Sequence, residues 1–431
     1  MPTITFIGGG SAKFVCQLVR DAFTFERLHD SRIVLMDIDG ERAQRSARLV
    51  TKLIGQLSIP ATVEWTTDRR KAVAGADYVI VTVMCGGFPC YRSDTDIPRR
   101  HGVLPTVGDT VGPGSVFRLV RTWPLLSGLV QDLRELAPRA WVLNYTNPMA
   151  MCTWSLLDAG WERSIGLCHS IQGMHRELAR WLGLPPDELH YTAGGINHID
   201  FYLTLTHQGR DVYPDLLAKR EAIIAKHPEE KVRFALLAEL GHFPAEGAHH
   251  QSEYSPWFRK DEATALSYGV ETGWGYAIDT AINQRLVAEV EEQLAGRAEI
   301  SLTRSHEYGA FIIDALQGGE PQVFYGNVRN RGLIGNLPPD AVVEVPCHAD
   351  RNGVVAGRIG DVPLPLAAVM SPHIHLHRQT VAAVRAKDKR LLYHAVRMDP
   401  LTSAILTLPQ IRTLVDEMCV ANAAWMGDWK A

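Results

Sequence analysis

The most restrictive stretch of this chain is its start. An apolar run, TITFI at residues 3–7, is followed by GGGS at 8–11, an amphipathic segment over 14–23, and SRIVLMDID at 31–39. A buried strand that turns on glycines into a helix, then returns as a strand ending in acid, is the signature of a dinucleotide-binding α/β unit. Gly8 and Gly10 permit the tight turn and the close approach of backbone to a pyrophosphate at a helix N-terminus, with Ser11 in the same turn. Lys13 stands where a third glycine would complete G-x-G-x-x-G, so the glycines alone are an incomplete pattern. Asp37 supplies what they lack. A carboxylate at the end of the second strand accepts hydrogen bonds from both ribose hydroxyls and repels a 2′-phosphate, which points to NAD rather than NADP.

The alternation continues. Strands are expected at 61–67, 77–85, 140–148 and 164–168, with helices over 41–57, after an Asp68 cap, over 115–136 and after a Ser170 cap. Pro124 is expected to kink or restart its helix. This pattern predicts a parallel sheet with helices on both faces. Beyond about residue 185 the segments gain antiparallel character, then become helical over 262–298, 300–317 and from 377. At 431 residues the chain exceeds one compact core. Two domains are expected: a Rossmann domain over 1–195 and an α+β domain over 196–431.

Bulk properties exclude some partners. The net charge of −4 shows no basic excess, against nucleic acid as a partner. No apolar run approaches the ~18 residues of a membrane span, and the chain begins directly in a strand with no signal-like segment. Seven scattered cysteines with no C-x-x-C argue against a disulfide framework and for a cytoplasmic setting.

Two further motifs carry chemistry. Asn147-Pro148, in NYTNP, reads as a turn with a cis peptide, or as a site where the asparagine amide reaches cofactor and substrate. Cys168, in GLCHSIQG, lies between a strand and a helix N-terminus, a setting that favours thiolate. A packed core thiol and a redox thiol are the other readings. His198, in GGINHID, follows 30 residues later. One cysteine and one histidine are too few for a structural zinc site, but they suffice for an open catalytic metal centre.

Taken together, GGGS, GDTVGPGSVFRLVRTWP (108–124), LNYTNPMAM, CHSIQG, GGINH, SEYSPWF (252–258) and VEVPCHADRNG (343–353) resemble, in content and order, glycoside hydrolase family 4. The resemblance runs over about residues 3–370. It implies a lactate/malate-dehydrogenase-like fold and an α-glycosidase that uses NAD and Mn²⁺ or another divalent metal, as a homodimer or homotetramer. The CHS and VEVPC…DRNG forms resemble the α-galactosidases, with α-glucosidases and α-hexuronidases as neighbouring branches. By this resemblance Cys168 and His198 hold the metal, and Tyr254 removes the proton from sugar C2. Asn147 contacts cofactor and substrate, and Asp109 lies near the metal. Where other branches carry an acid after the metal cysteine, this chain has His169. His169 and Asp109 are therefore the general-acid candidates, with His169 and Arg118 also facing substrate. Arg92, Arg118 and Arg121 are candidates for a phosphate or an anionic sugar group.

The chemistry is consistent with these residue types, and family 4 stands outside the two-carboxylate scheme of most glycosidases. A C2–H beside an alcohol is too weak an acid for a side chain to remove. Oxidation at C3 places it α to a ketone, and a metal on O2 and O3 stabilises the resulting anion. A tyrosine with an ordinary pKa of about 10 needs a cation nearby; the metal, Arg259 and His250 are the candidates. The His-rich stretch 241–253 reads as a loop over the site. Three alternatives remain: an NAD-dependent hydroxyacid or polyol dehydrogenase, which would release NADH; an NAD-binding module without catalysis; and the same mechanism on an anionic sugar.

Overall fold

The computed structural model describes residues 1–12 and 14–430. Lys13, at the missing third glycine, lies outside the described residues. Six strands, β1 (Thr3–Ile7), β2 (Arg32–Met36), β3 (Thr62–Thr66), β4 (Tyr78–Val81), β5 (Trp141–Asn144) and β6 (Ser164–Gly166), form a parallel sheet in the order β3-β2-β1-β4-β5-β6. All of β1 and β4 is buried, as strands covered by helices on both faces must be. The chain winds outward through β2 and β3, then crosses back to β4. The crevice beyond the carboxyl ends of β1 and β4 is the ligand position of such sheets.

The same sheet continues with reversed polarity. β7 (Leu189–Ile196) and β8 (Ile199–His207) form a hairpin, with β9 (Arg210–Asp211) and β10 (Phe243–Pro244) both paired to β8. β11 (Gln322–Arg329) lies antiparallel to β6 and to β12 (Val342–Asp350), and β13 (Gly353–Ala356) pairs with β12. One pairing, Gly195 with Glu344, joins the hairpin to the rest. A Cβ at Gly195 would lie 2.2 Å from the Ile199 carbonyl oxygen, so only glycine fits there. The boundary expected at residue 195 falls inside β7. The fold is a Rossmann sheet extended by an antiparallel C-terminal half, the α/β plus α+β class read from the sequence.

One helix follows its expected cap, Asp68 capping Arg69–Val73; Asp39, not expected as a cap, accepts from the Glu41 and Arg42 amides at the start of Gly40–Leu57. Others differ. Gly112–Leu136 continues through Pro124 as one helix rather than restarting there, with Val120, Leu126 and Leu129 around it buried. Ser170 is the first helical residue of Ser170–Leu182 rather than its cap. The helix expected over 262–298 is two, Glu262–Ser267 and Trp274–Leu294, because Gly269 and Gly273 adopt left-handed φ between them. The one expected over 300–317 shrinks to Tyr308–Leu316. The residues before it are held outward, Ser305 N–H by Asp21 Oδ1 and Arg304 Nε by Thr24 Oγ1.

One apolar core spans both halves. It includes Ile4, Val81 and Leu143 from the parallel strands, Val343 from β12, and Leu376 and Leu414 from the C-terminal helices Leu364–Ala386 and Leu408–Ala421. The turns and loops at the carboxyl ends of β1, β4, β5 and β6, together with the β7–β8 turn, therefore rest on a single packed body.

Candidate functional site

The glycine turn leaves no room for side chains. A Cβ on Gly8, whose φ is +94°, would lie 2.5 Å from the Thr82 carbonyl oxygen, and one on Gly10 would lie 2.7 Å from Asp37 Oδ2. Gly8 and Gly9 donate their N–H groups to the Met36 carbonyl at 2.9 and 2.7 Å, which ties the turn to β2. Asp37 accepts from Gly10 N–H at 2.9 Å and Asp39 N–H at 3.0 Å. Each carboxylate oxygen keeps a lone pair for a ribose hydroxyl. Ser11 sits in the turn, its Oγ accepting from Phe14 N–H at 3.3 Å. A cradle that a single methyl would fill, backed by an acid, fits a dinucleotide.

Three donor atoms converge past β6 and the hairpin. Cys168 follows β6 by two residues. His198 occupies the two-residue β7–β8 turn with φ +67°, a conformation few non-glycine residues adopt, though histidine is enriched among them. Its carbonyl is fixed by Gln251 Nε2 at 2.6 Å, and Asn197 beside it donates to Glu344 Oε2 at 3.0 Å. Glu246 lies just beyond β10. Cys168 Sγ is 3.6 Å from His198 Nε2 and 4.0 Å from Glu246 Oε2, and His198 Nε2 is 3.1 Å from Glu246 Oε2. All three lie within 4.8 Å of one another. These are the separations of atoms sharing one ion at about 2.0–2.3 Å, and a thiol, an imidazole and a carboxylate suit a borderline divalent metal.

The electrostatics refine the reading of Cys168. Burial, with Glu246 and Glu344 adding to it, pushes its thiol well above the ordinary value, and the hydrogen bonds from Ser170 do not offset this. Burial thus opposes what the helix start favours, and a bound cation would stabilise the thiolate. Burial pushes His198 down to about 4, so its imidazole is neutral and able to ligate. Glu246 is held below its ordinary value despite burial, chiefly by His198 and His250. Glu246 was not singled out from sequence. The His-rich stretch that holds it drew notice for its histidines, whereas the donor it contributes is the acid.

Tyr254 is buried, its ring 6.2 Å from that of His198, and its hydroxyl donates to Thr110 Oγ1 at 2.7 Å. Burial pushes it well above 10, and Asp109, Glu253 and Glu246 push the same way. Arg259 is not the compensating cation. Its guanidinium is 3.9 Å from Glu253 and donates to the Ser252 and Leu104 carbonyls. Asp109 accepts from Asn147 Nδ2 at 2.7 Å and faces His250 Nδ1 at 3.9 Å. Burial alone would raise the Asp109 carboxyl, but His250, Arg118, His198 and Asn147 together hold it low. The Asn147-Pro148 peptide is cis. His169 is half-exposed beside Cys168, its Nδ1 3.4 Å from Glu307 Oε1.

The arginines separate. Arg118 is buried with its guanidinium 5.0 Å from the Tyr91 ring, and its Nε and Nη1 have no protein partner. Arg121 is committed elsewhere: it pairs with Asp94, with Asn422 at 2.8 Å and with the Cys85 carbonyl at 3.1 Å. Arg92 pairs with Asp96 on an exposed helix face. Arg121, with its guanidinium committed to protein partners, is not free for a phosphate or an anionic sugar.

A glycine turn backed by an acid, on one sheet with a thiol–imidazole–carboxylate cluster beside a buried tyrosine, is the site of a dinucleotide-dependent enzyme. The family 4 glycosyl hydrolase pattern matches residues 3–184, and that of the family 4 C-terminal domain matches 193–402. The chain belongs to this family of glycoside hydrolases. It is 35% identical to an α-galactosidase of Bacillus subtilis over the full length of both. Its fold matches a 6-phospho-α-glucosidase from gut microorganisms, solved with NAD and Mn²⁺, at TM-score 0.83 and 21% identity over all of each chain. It also matches malate dehydrogenase of Cryptosporidium parvum at TM-score 0.52 and 14% identity, over 89% of this chain and 99% of that one. The dehydrogenase alternative is thereby corrected: the resemblance to dehydrogenases lies in the fold, and the family is hydrolytic. Among the described residues, no helix is long and apolar enough to cross a membrane.

Proposed function

We propose that this chain is an α-galactosidase that cleaves its substrate by transient oxidation at C3, acting in the cytoplasm as a homodimer or homotetramer. The observation that carries the reading is the convergence of Cys168, His198 and Glu246 within 4.8 Å, beside Tyr254, on the same sheet that carries the Gly8–Asp37 cradle. The full-length similarity to an α-galactosidase supports the sugar.

When bound, NAD accepts hydride from C3 and returns it, and a divalent cation on Cys168, His198 and Glu246 draws charge from the neighbouring sugar oxygens. The protein's residues do the rest. Gly8, Gly10 and Ser11 receive the pyrophosphate, and Asp37 the adenine-side ribose. Asn147, oriented by Asp109, and Arg118, with two buried unpartnered nitrogens, hold sugar hydroxyls. With C3 oxidised, Tyr254 Oη takes the proton from C2. The electron pair forms the C1–C2 double bond as the C1–O bond breaks. The departing oxygen takes a proton from His169, which is exposed beside Cys168 with its Nδ1 3.4 Å from Glu307 Oε1. Asp109 is held ionised, which fits an orienting role rather than that of proton donor. Water then adds at C1, and Tyr254 returns the proton to C2, which leaves the C3 ketone for the hydride that bound NAD would return, so that net NADH release is not expected.

The test is hydrolysis of 4-nitrophenyl α-galactoside in deuterated water with NAD and Mn²⁺. Galactose carrying deuterium at C2, without net NADH, is expected. Hydrolysis that needs no NAD and leaves C2 unlabelled would refute the reading. Parallel assays with the α-glucoside and α-galacturonide test the sugar, and light scattering tests the oligomer.

A further inference from the structure

Glu253 is next to Tyr254 in the chain, yet its carboxylate does not face the sugar site. It is 1% exposed and accepts three consecutive backbone N–H groups: Thr106 at 2.8 Å, Val107 at 3.0 Å and Gly108 at 3.1 Å on Oε1, with Gly108 also 3.1 Å from Oε2. Successive N–H groups closing on one anion form a nest, and charge-assisted bonds of this kind are the strong ones. Arg259, five residues beyond Tyr254, grips the same loop through the Leu104 carbonyl. Thr106 Oγ1 donates to the His249 carbonyl at 2.7 Å. The loop carbonyls are held from the other side, Pro105 by Gly273 N–H at 2.7 Å and Thr106 by Gly275 N–H at 2.8 Å. Loop 104–108 is thus pinned on both sides.

This loop leads directly to Asp109 and Thr110. Thr110 Oγ1 is the acceptor for the Tyr254 hydroxyl, and Asp109 holds Asn147. The residue beside the tyrosine therefore fixes the loop that carries the tyrosine's own hydrogen-bond partner. We propose that Glu253 is a positioning residue: by locking Thr106–Gly108 it sets Thr110, and Thr110 sets the direction of the Tyr254 hydroxyl. The inference rests on the reading of Tyr254 as the base. An ångström of misplacement of a reacting group is worth roughly a hundredfold in rate.

The experiment compares wild type with Glu253→Gln, Thr110→Val, Thr110→Ser and Tyr254→Phe on 4-nitrophenyl α-galactoside, unlabelled, deuterated at C2 or deuterated at C3. NAD and Mn²⁺ binding are measured by calorimetry and folding by thermal melting. Glu253→Gln should lower kcat by roughly a hundredfold with KM, NAD affinity and Mn²⁺ affinity unchanged, and should enlarge the C2 isotope effect relative to that at C3. Thr110→Val should reproduce this, and Thr110→Ser should restore most of the rate. A folded Glu253→Gln enzyme with wild-type kcat, or with an unchanged C2 isotope effect, overturns the proposal. If Glu253→Gln does not fold, Thr110→Val decides: wild-type turnover by that variant overturns it. Tyr254→Phe separates the two layers. Loss of C2 exchange in Tyr254→Phe together with wild-type turnover in Thr110→Val refutes only the positioning role, whereas retained exchange in Tyr254→Phe refutes the base and the positioning together.

Discussion

Acid should loosen this protein through two histidines on the helix Leu364–Ala386. His373 and His377 are 0% and 2% exposed, and burial pushes them down to about 4 and about 3. His373 uses Nε2 to hold the Tyr254 carbonyl at 2.8 Å, and its buried Nδ1 has no partner to welcome a proton. In the unfolded chain both recover the ordinary histidine value of about 6.5. Below that value the unfolded state binds more protons than the folded one, so stability falls as pH drops from about 6.5 toward 4. Between pH 7 and pH 5 each residue gives up about 2 kcal/mol, and the pair about 4 kcal/mol. That is a large part of the roughly 5–15 kcal/mol available to a folded domain. The measurement is urea unfolding at pH 7, 6 and 5, followed by tryptophan fluorescence, for wild type and His377→Gln. The variant's absolute stability is not the readout; the slope is. The stability difference between the two proteins should move by about 2 kcal/mol in the variant's favour between pH 7 and 5. Parallel curves would show that His377 is not buried and neutral in the folded protein, and would refute the reasoning.

Three further outcomes follow from the geometry. Cys168→Ser and Glu246→Ala should each weaken Mn²⁺ binding, seen by electron paramagnetic resonance titration, by more than the roughly tenfold cost of losing an outer-shell partner, with NAD affinity unchanged. Gly8→Ala, whose Cβ would press within 2.5 Å of the Thr82 carbonyl oxygen at φ +94°, should abolish NAD binding in calorimetry and cost about 1–3 kcal/mol of stability. Arg121→Met leaves Asp94 buried without its cation and should cost about 3–5 kcal/mol in chemical denaturation, while Arg92→Met, at an exposed pair, should be nearly silent.

Much of the site was legible because its residues carry local signatures. The β1–glycine–helix unit and Asp37 are encoded within 37 residues, and Cys168 and His198 each terminate a strand pattern. Glu246, Thr110 and Glu253 were not legible as partners. Glu246 is one acid in an aperiodic loop, and the bonds of Glu253 to Thr106–Gly108 cross 145–147 positions of sequence. Arg121 was misread for the same reason: its partners lie 27 and 301 residues away, and nothing near it in sequence announces them. The overlong helices of the 262–317 region came from weighing helical composition above Gly269 and Gly273, whose left-handed turns end one helix and begin the next. The thiolate expected at Cys168 from the helix N-terminus is opposed chiefly by burial, with Glu246 and Glu344 adding to it, and neither is visible in the local sequence.

The continuity of the sheet from β3 to β10 has a mechanical consequence. Enzymes that enclose a dinucleotide between two lobes commonly open by swinging one lobe about a hinge. Here the backbone ladder continues through β6, β11, β12 and β7, by single pairings at Asn327–Gly166 and Glu344–Gly195, so a swing would have to break those pairs. Entry of the sugar, departure of its aglycone and admission of the single water that completes hydrolysis therefore fall to the segments above the sheet, while the plate that carries the cofactor cradle and the metal donors stays still.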